Sequence, residues 1–359
     1  MSRKINLSIA KINKVNKFKT GIDRYSNSLF HQIKKFKHIK TNIDIIDKNH
    51  VLFLSKFFKK NKNLGVETND SIIHAMSPMN LNNYNLKGRL VTTIHDLCPL
   101  IVPYVYPFYV PYIFKITIKS LVKNNSYFIV NSNCTKNDLI KFFNIEESKI
   151  FITPLGVSKK FGLKNPETIK SVLNKYNICD EYFLFTGAMN KRKNLNRVIK
   201  AFVSFKSKVN NKIKLVLAGR MNWGGSELEK IVQKNNLTND VIFPGYISED
   251  DLPYVVSGAF ANIYVSLYEG FGLPCLEAMK SGSPLIASNV SSIPEVTDDS
   301  AFLVDPENIN SIANALIELY KNKSLRDKLI SSGLSRAKDF SWENTAKKTL
   351  EAYYKILNY

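Results

Sequence analysis

Residues 269–288, EGFGLPCLEAMKSGSPLIAS, constrain the fold of this chain more than any other stretch. Two carboxylates, Glu269 and Glu277, are separated by seven residues, and Gly270-Phe271-Gly272-Leu273-Pro274 lies between them. The glycines permit backbone conformations and close approaches that a side chain blocks. Pro274 suits the first turn of a helix, and Leu276, Ala278 and Met279 are good helix formers. Gly282 stands where a helix C-cap belongs, and the apolar run Leu285-Ile286-Ala287 follows Ser283-Pro284 as a strand. The segment therefore reads as loop, helix, strand. Such a loop delivers free N–H groups at a helix N-terminus, a ready anion site. Acceptor-only carboxylates beside it suit the hydroxyls of a sugar or a ribose.

The same alternation runs along the chain. Residues 5–9 read as a strand. Residues 88–94 form a buried strand that runs directly into His95-Asp96, and 127–130 end at Asn131-Ser132 with Thr135 and Asp138 opening a helix. Residues 150–157 are expected as one more strand, and a polar stretch over 158–178 as the linker. Then 182–186 lead through Gly187 to Lys191-Arg192-Lys193-Asn194 and an amphipathic helix. Residues 214–218 end at Gly219, 241–243 at Pro244-Gly245-Tyr246, and 263–267 at Glu269. Repeated strand–helix units predict an α/β protein, and 359 residues predict two doubly wound parallel-sheet domains. Ligands of such sheets lie beyond the carboxyl ends of the strands. His95 there is either ligand-facing or a hydrogen-bonded structural histidine. Arg192 offers a fork of donors and Lys193 a point charge, the parts of a diphosphate clamp.

Several chemistries are disfavoured. Cys98, Cys134, Cys179 and Cys275 lie far apart with no CxxC pair, so neither disulfides nor a zinc site is expected. The opening MSRKINLSIAKINK has no apolar core of a secretion signal, which makes the cytosol the default. No GxGxxG follows the first strand and no GxxxxGK[ST] occurs, against a dinucleotide dehydrogenase or a P-loop enzyme.

Charge is uneven. Residues 1–165 hold 27 Lys+Arg against 9 Asp+Glu, and the remainder 24 against 21, within a net charge of +21. This points to an anionic partner for the first half, a membrane surface, lipid phosphate or nucleic acid, or else to a lysine-rich solvated face. Residues 100–114, LIVPYVYPFYVPYIF, are the one long apolar run; Pro103, Pro107 and Pro111 interrupt it, which argues against a membrane-spanning helix. Its tyrosines suit a bilayer interface or an acceptor groove, or else the run packs inside the first domain. On the membrane reading, Lys34, Lys35, Lys37, Lys56, Lys59 and Lys60 supply charge, and Tyr104, Tyr106 and Tyr109 supply anchors.

The 269–277 pattern closely resembles the EX7E signature of retaining glycosyltransferases of family four, which have the GT-B fold and use nucleotide-sugar donors. The resemblance implies that Glu269 lies near the donor sugar hydroxyls and that Glu277 holds the ribose. It also implies that the Phe271-Gly272-Leu273 backbone faces the sugar and phosphates. Gly187 with Arg192-Lys193-Asn194 resembles the RKN segment that holds the diphosphate. Some relatives carry an arginine straight after the glycine, where this chain has Ala188. Gly245 and Tyr246 match the turn against the base. VTTIHDLCPL is similar to the TIHDL segment of a subgroup that includes lipopolysaccharide mannosyltransferases, where the histidine, here His95, contacts the donor sugar. Asp96, Gly21 and Ser132 match acceptor-side positions of the family.

The implied organisation is an acceptor-binding Rossmann-like domain over 1–165 and a donor-binding one over 166–340, facing a cleft. The helix at about 341–359 crosses back to the first. The implied activity is retaining transfer of a hexose, mannose favoured, from GDP-mannose or a UDP-sugar to a lipid-linked or saccharide acceptor. The α-linkage formed belongs to O-antigen and lipopolysaccharide synthesis at the cytoplasmic membrane. No DxD pair stands where a metal-dependent transferase wants one, so no metal is expected, and the cations stabilise the leaving diphosphate. Other GT-B enzymes are the alternative: a UDP-sugar glucosyl-, GlcNAc- or galactosyltransferase, a phosphorylase or a nucleotide-sugar epimerase. A nucleic-acid-binding protein lacks a recognisable module here and leaves Glu269 and Glu277 unexplained. The resemblance is strongest over 182–305 and weakest over 1–85.

Overall fold

A computed structural model describes residues 5–13, 21–36, 39–47, 71–78, 89–209, 212–221 and 225–358. The chain divides into one unit of residues 1–156 with 341–359, and a second of residues 157–340. The division thus falls after Gly156 rather than after residue 165.

In the first unit the described strands are β1 (Ile5–Asn13), β2 (Ile39–Asp47), β3 (Ser71–Ala75), β4 (Arg89–Ile94), β5 (Tyr127–Val130) and β6 (Ile150–Ile152). They pair in parallel in the order β2-β1-β3-β4-β5-β6. Strand β5 (YFIV) is a near-continuous apolar run, as a parallel strand covered on both faces requires, and β4 buries its last four residues, Val91 to Ile94. Ile94, Phe128 and Val130 pack there with Ile118 of α3 (Tyr109–Lys123) and Leu139 of α4 (Asn133–Phe143). Helix α1 (Gly21–Ile33) buries Tyr25, Leu29 and Ile33, and α2 (Cys98–Ile101) is a single turn after β4. The C-terminal helix Trp342–Leu357 completes this unit: Thr345 Oγ1 donates to Pro154 O at 2.7 Å. A Cβ on Gly156 would come within 2.1 Å of the Trp342 nitrogen, so only glycine fits at that contact. Strand β6 stops at Ile152 instead of running to residue 157, because Pro154 has no N–H for the ladder.

The second unit opens with α5 (Pro166–Asn174) where a polar linker was expected. Asn165 caps it, accepting from the Glu167 and Thr168 nitrogens, and Pro166 takes the first helical position. Strands β7 (Tyr182–Thr186), β8 (Lys214–Ala218), β9 (Val241–Gly245), β10 (Ala261–Tyr264), β11 (Leu285–Ser288) and β12 (Phe302–Val304) pair in parallel as β12-β11-β10-β7-β8-β9. The intervening helices are α6 (Leu195–Lys208), α7 (Gly225–Lys234), α8 (Leu252–Ser257), α9 (Leu273–Lys280) and α10 (Ile293–Thr297), followed by α11 (Ile309–Lys321) and α12 (Lys323–Arg336). This order reverses direction between β7 and β10, and a reversal of that kind opens a crevice beyond the strand ends.

Candidate functional site

At the β7/β10 reversal, the two adjacent strands deliver the cation pair and the carboxylate. After β7 the Lys191–Lys193 turn is tied to the exit of β10: the Leu267 nitrogen donates to Arg192 O at 3.0 Å, and Arg192 Nη1 donates to Tyr268 O at 2.8 Å. Asn194, held in the left-handed region at φ 61°, donates from Nδ2 to Val265 O (3.1 Å) and Pro306 O (2.6 Å). The Glu269 backbone is gripped in turn. Its N–H donates to Ser291 Oγ at 3.0 Å, and its carbonyl accepts from Ser292 Oγ at 2.9 Å.

Between these supports Glu269 Oε1 is shared by Arg192 Nη1 (2.5 Å) and Lys193 Nζ (2.6 Å). Lys193 also donates to the Tyr264 hydroxyl and stands 4.4 Å from the centre of that ring. Glu269 and Lys193 are buried, each 7% exposed. Burial alone would push the Glu269 pKa up, but the charge of Arg192, then that of Lys193, outweighs it and holds the carboxyl at about 2. Burial, reinforced by the neighbouring Arg192 charge, lowers Lys193 to about 8 despite Glu269. The cluster therefore joins two cations to one shared carboxylate, with Lys193 and Glu269 buried and Arg192 half-buried. That is a cationic socket whose charge is partly neutralised from within.

Glycines shape the strand ends around it. The Gly187 nitrogen donates to Ala218 O at 2.9 Å and the Gly219 nitrogen to Gly245 O at 2.7 Å. A Cβ on Gly219 would sit 1.8 Å from Gly187 O, so the approach of these two loops demands its absence. Gly272, at φ +98°, precedes α9, and a Cβ there would meet Ile293 Cδ1 at 2.5 Å. Leu273 is the first residue of α9. The Phe271 ring is buried edge-on against Phe340 at 5.8 Å. Glu277 lies one turn into α9 and is buried with Cys275, whose thiol pKa is pushed up by burial and then by the Glu269 charge. Tyr246, just past β9, is 36% exposed.

In the first unit His95 follows β4, between the ends of its neighbours β3 and β5. His95 Nε2 donates to Met76 O at 2.9 Å, because a carbonyl can only accept. The other nitrogen, Nδ1, then carries the lone pair and accepts from Asn131 Nδ2 at 3.1 Å. Burial lowers the His95 pKa and keeps the ring neutral. Behind it Tyr25 packs edge-on against the imidazole at 5.0 Å and hydrogen-bonds Thr93 Oγ1 at 3.0 Å. Thr93 Oγ1 pairs with His74 Nε2 at 2.7 Å, and His74 Nδ1 with the Tyr353 hydroxyl at 2.5 Å. Burial lowers the His74 pKa to about 3. Both His95 nitrogens are thus committed to protein partners, and the imidazole has one fixed tautomer.

The acceptor-side candidates fall differently. Asp96 accepts from the Cys98 nitrogen at 3.1 Å, and Ser132 is the N-cap of α4, accepting from the Thr135 nitrogen at 3.1 Å. Both therefore have a local structural job. Gly21 is the first residue of α1, and a Cβ placed on it would meet nothing within 4 Å among the described residues. Asn131, Ser291, Ser292, Asn194 and Tyr264 carry the site's hydrogen bonds without having been singled out as site residues. Asn131-Ser132 at a strand end and Asn194 inside KRKN were the available signals. Among the described residues no group of three or more His, Cys, Asp or Glu is placed to hold a metal.

Residues 169–336 match the family described as Glycosyl transferases group 1. The chain is 33% identical over 275 residues to O-antigen chain mannosyltransferase B of Escherichia coli, covering 76% of this chain and 72% of that one. It is 26% identical over 286 residues to the serotype-specific mannosyltransferase WbdA of Escherichia coli, of whose length it spans 34%. The crystal structure of Anabaena Alr3699/HepE in complex with UDP and glucose superposes with a TM-score of 0.75 over 97% of this chain and 99% of that one, at 14% identity, a likeness of fold. On the family match, the identity shared with the first relative and two parallel-sheet α/β units, this chain is a glycosyltransferase of the GT-B fold and belongs to the group 1 glycosyl transferases.

Proposed function

We propose that this glycosyltransferase moves a hexose, mannose in preference, from a nucleotide-diphosphate sugar to a saccharide or lipid-linked acceptor, with retention to give an α-glycosidic bond. The observation that carries the reading is the buried Glu269 shared by Arg192 and Lys193 at the strand reversal of the second unit. Two adjacent cations, Lys193 buried and Arg192 half-buried, partly neutralised by one carboxylate, suit a diphosphate. Charge grows on that diphosphate as the glycosidic bond breaks, so cations pre-placed there act on the transition state more than on the bound substrate. In this reading Glu269 receives the sugar hydroxyls, Glu277 the ribose, and the Gly245–Tyr246 turn the base. This reading assigns no side chain of the cluster as a nucleophile, which suits attack on the face the diphosphate leaves. His95, neutral and of fixed tautomer, orients and does not exchange a proton. The charge stabilisation assigned to Arg192 and Lys193 needs no metal. Mannose is favoured because the two similar relatives named above are called mannosyltransferases, and the name of the first also supports a role in O-antigen synthesis. GDP-mannose is the donor of choice and a UDP-sugar the alternative, since the UDP-bound neighbour shares the fold.

The test is a panel of GDP-mannose, UDP-glucose, UDP-GlcNAc and UDP-galactose, scored by thermal stabilisation and by nucleoside diphosphate release with mannose-terminated oligosaccharides. GDP-mannose should stabilise most and give an α-linked product by NMR. Stabilisation by a UDP-sugar alone overturns the donor assignment, and a β-linked product overturns retention.

A further inference from the structure

Ten large hydrophobic side chains are exposed among the described residues, and five of them fall between residues 104 and 116. Tyr104 is 66% exposed, Phe108 91%, Tyr109 46%, Tyr112 69% and Ile116 38%. Chance scatter does not place half of them in one short segment, and a contiguous exposed apolar patch marks a contact surface. Helix α3 explains the pattern. Its Ile118 and Leu121 face the core of the first unit, while Tyr109, Tyr112 and Ile116 recur at the i, i+3, i+7 spacing of one outward stripe. Phe108 stands at the head of that stripe, its ring edge-on to Tyr109 at 5.7 Å.

The charge around the stripe decides what covers it. Lys115, Lys119 and Lys123 are exposed on the same helix. No acidic residue occurs between Asp96 and Asp138, a span with four lysines. A protein partner or a second copy would meet this stripe with a mixed-charge rim, whereas an anionic bilayer offers headgroups to the lysines and an acyl boundary to the rings. Tyrosine and phenylalanine at that boundary, flanked by lysines, are the composition of an interfacial helix. Among the described residues no helix is long and apolar enough to cross a membrane, so the contact is adsorption.

We propose that the outward stripe of α3, Phe108-Tyr109-Tyr112-Ile116 with Lys115 and Lys119, docks the first unit on an anionic phospholipid surface. This goes beyond the proposed glycosyl transfer and stands independently of the donor. It keeps Tyr109 from the anchors the sequence suggested, beside the exposed Tyr104, and adds Phe108, Tyr112 and Ile116. Lys37, Lys56, Lys59 and Lys60 lie outside the described residues, and Tyr106 is only half-exposed. Lys34 and Lys35 are exposed just after α1, where Lys34 lies over the Phe30 ring.

Co-sedimentation tests it, using the full chain with phosphatidylcholine vesicles and with phosphatidylcholine–phosphatidylglycerol vesicles across a salt series. Binding is expected to the anionic vesicles alone and to weaken steeply with salt. Lys115→Gln with Lys119→Gln should lower the partition coefficient roughly thirtyfold, at about a kilocalorie for each lysine. Phe108→Ser with Tyr112→Ser should lower it at least tenfold. Tyr112→Trp should show blue-shifted emission with anionic vesicles and none without. These side chains are exposed, and unchanged thermal melting with unchanged nucleoside diphosphate affinity certifies each variant as folded. Equal binding to both vesicle types overturns the proposal, as does equal binding by the Ser variants. So does a dimer in sedimentation velocity that the Ser variants dissolve, for then a second copy covers the stripe.

Discussion

Replacing Glu269 by glutamine tests the charge logic of the second unit at its centre. The amide keeps the shape and removes the anion that Arg192 and Lys193 share. Breaking a buried ion pair by removing one partner costs about 3–5 kcal/mol, since the other charge stays buried and uncompensated. Here two cations are left beside each other. For a unit of this size each kilocalorie lowers the melting temperature by roughly 2–4 °C, so a fall of roughly 6–20 °C is expected by differential scanning fluorimetry. Nucleoside diphosphate affinity should move the other way. In the wild type the incoming diphosphate competes with Glu269 for the same donors, whereas in Glu269→Gln it meets an uncompensated socket. The variant should bind nucleoside diphosphate at least as tightly, recover more of its melting temperature on binding than the wild type gains, and still turn over poorly. Adding Arg192→Gln should restore part of the lost stability, a non-additivity that marks direct coupling. An unchanged melting temperature, or a tenfold loss of nucleotide affinity in Glu269→Gln, refutes this account.

Glu277→Ala should weaken nucleoside diphosphate binding by about 1.5–3 kcal/mol for each ribose hydrogen bond lost, measured by calorimetry; unchanged affinity removes the ribose assignment. Lys193, with its pKa lowered to about 8, binds fewer protons folded than unfolded above that pH, so its charged form costs stability below pH 8 and the cost fades as pH rises. Diphosphate affinity should therefore fall by up to about tenfold per pH unit above 8 in the wild type and stay flat in Lys193→Arg; equal slopes refute the link. Asn131→Asp puts a carboxylate beside His95 Nδ1, so the His95 pKa should rise and turnover should fall, followed by imidazole NMR titration; an unmoved titration refutes the fixed tautomer. Turnover should survive exhaustive chelation, and its abolition with recovery on adding magnesium would show that Arg192 and Lys193 do not suffice.

The 269–288 segment was readable because its signals are local. Proline at the start of α9, glycine at φ +98° before it and glycine at φ +67° after it each do a job that the sequence names. The ion cluster was half readable. Arg192, Lys193 and Glu269 were singled out, but the sequence assigned them to different parts of a ligand. That they bind one another depends on β7 lying beside β10, a pairing that no local period reports. Ser291 and Ser292 grip Glu269 from the loop after β11, and their positions look like any polar turn. The 100–114 run was left open between surface and core, and the helix divides it: Val102 is buried and Phe114 packs on the core, while Tyr104, Phe108, Tyr109 and Tyr112 face out. A run read as one property was two faces.

The tie between Tyr353 and His74 crosses 279 positions of sequence. Its consequence lies in the order of synthesis. Strands β1 to β6 emerge before the second unit, yet His74 and Arg89 of this unit await partners on a helix made after it, Tyr353 for one and Ile356 O for the other. The second unit, continuous over residues 157–340, has all its strands before that helix exists. Domains fold as units while the chain is made, and long-range closures come late. The later-made unit is therefore the first able to finish, and the earlier one stays open at its seam until residues 342–357 arrive.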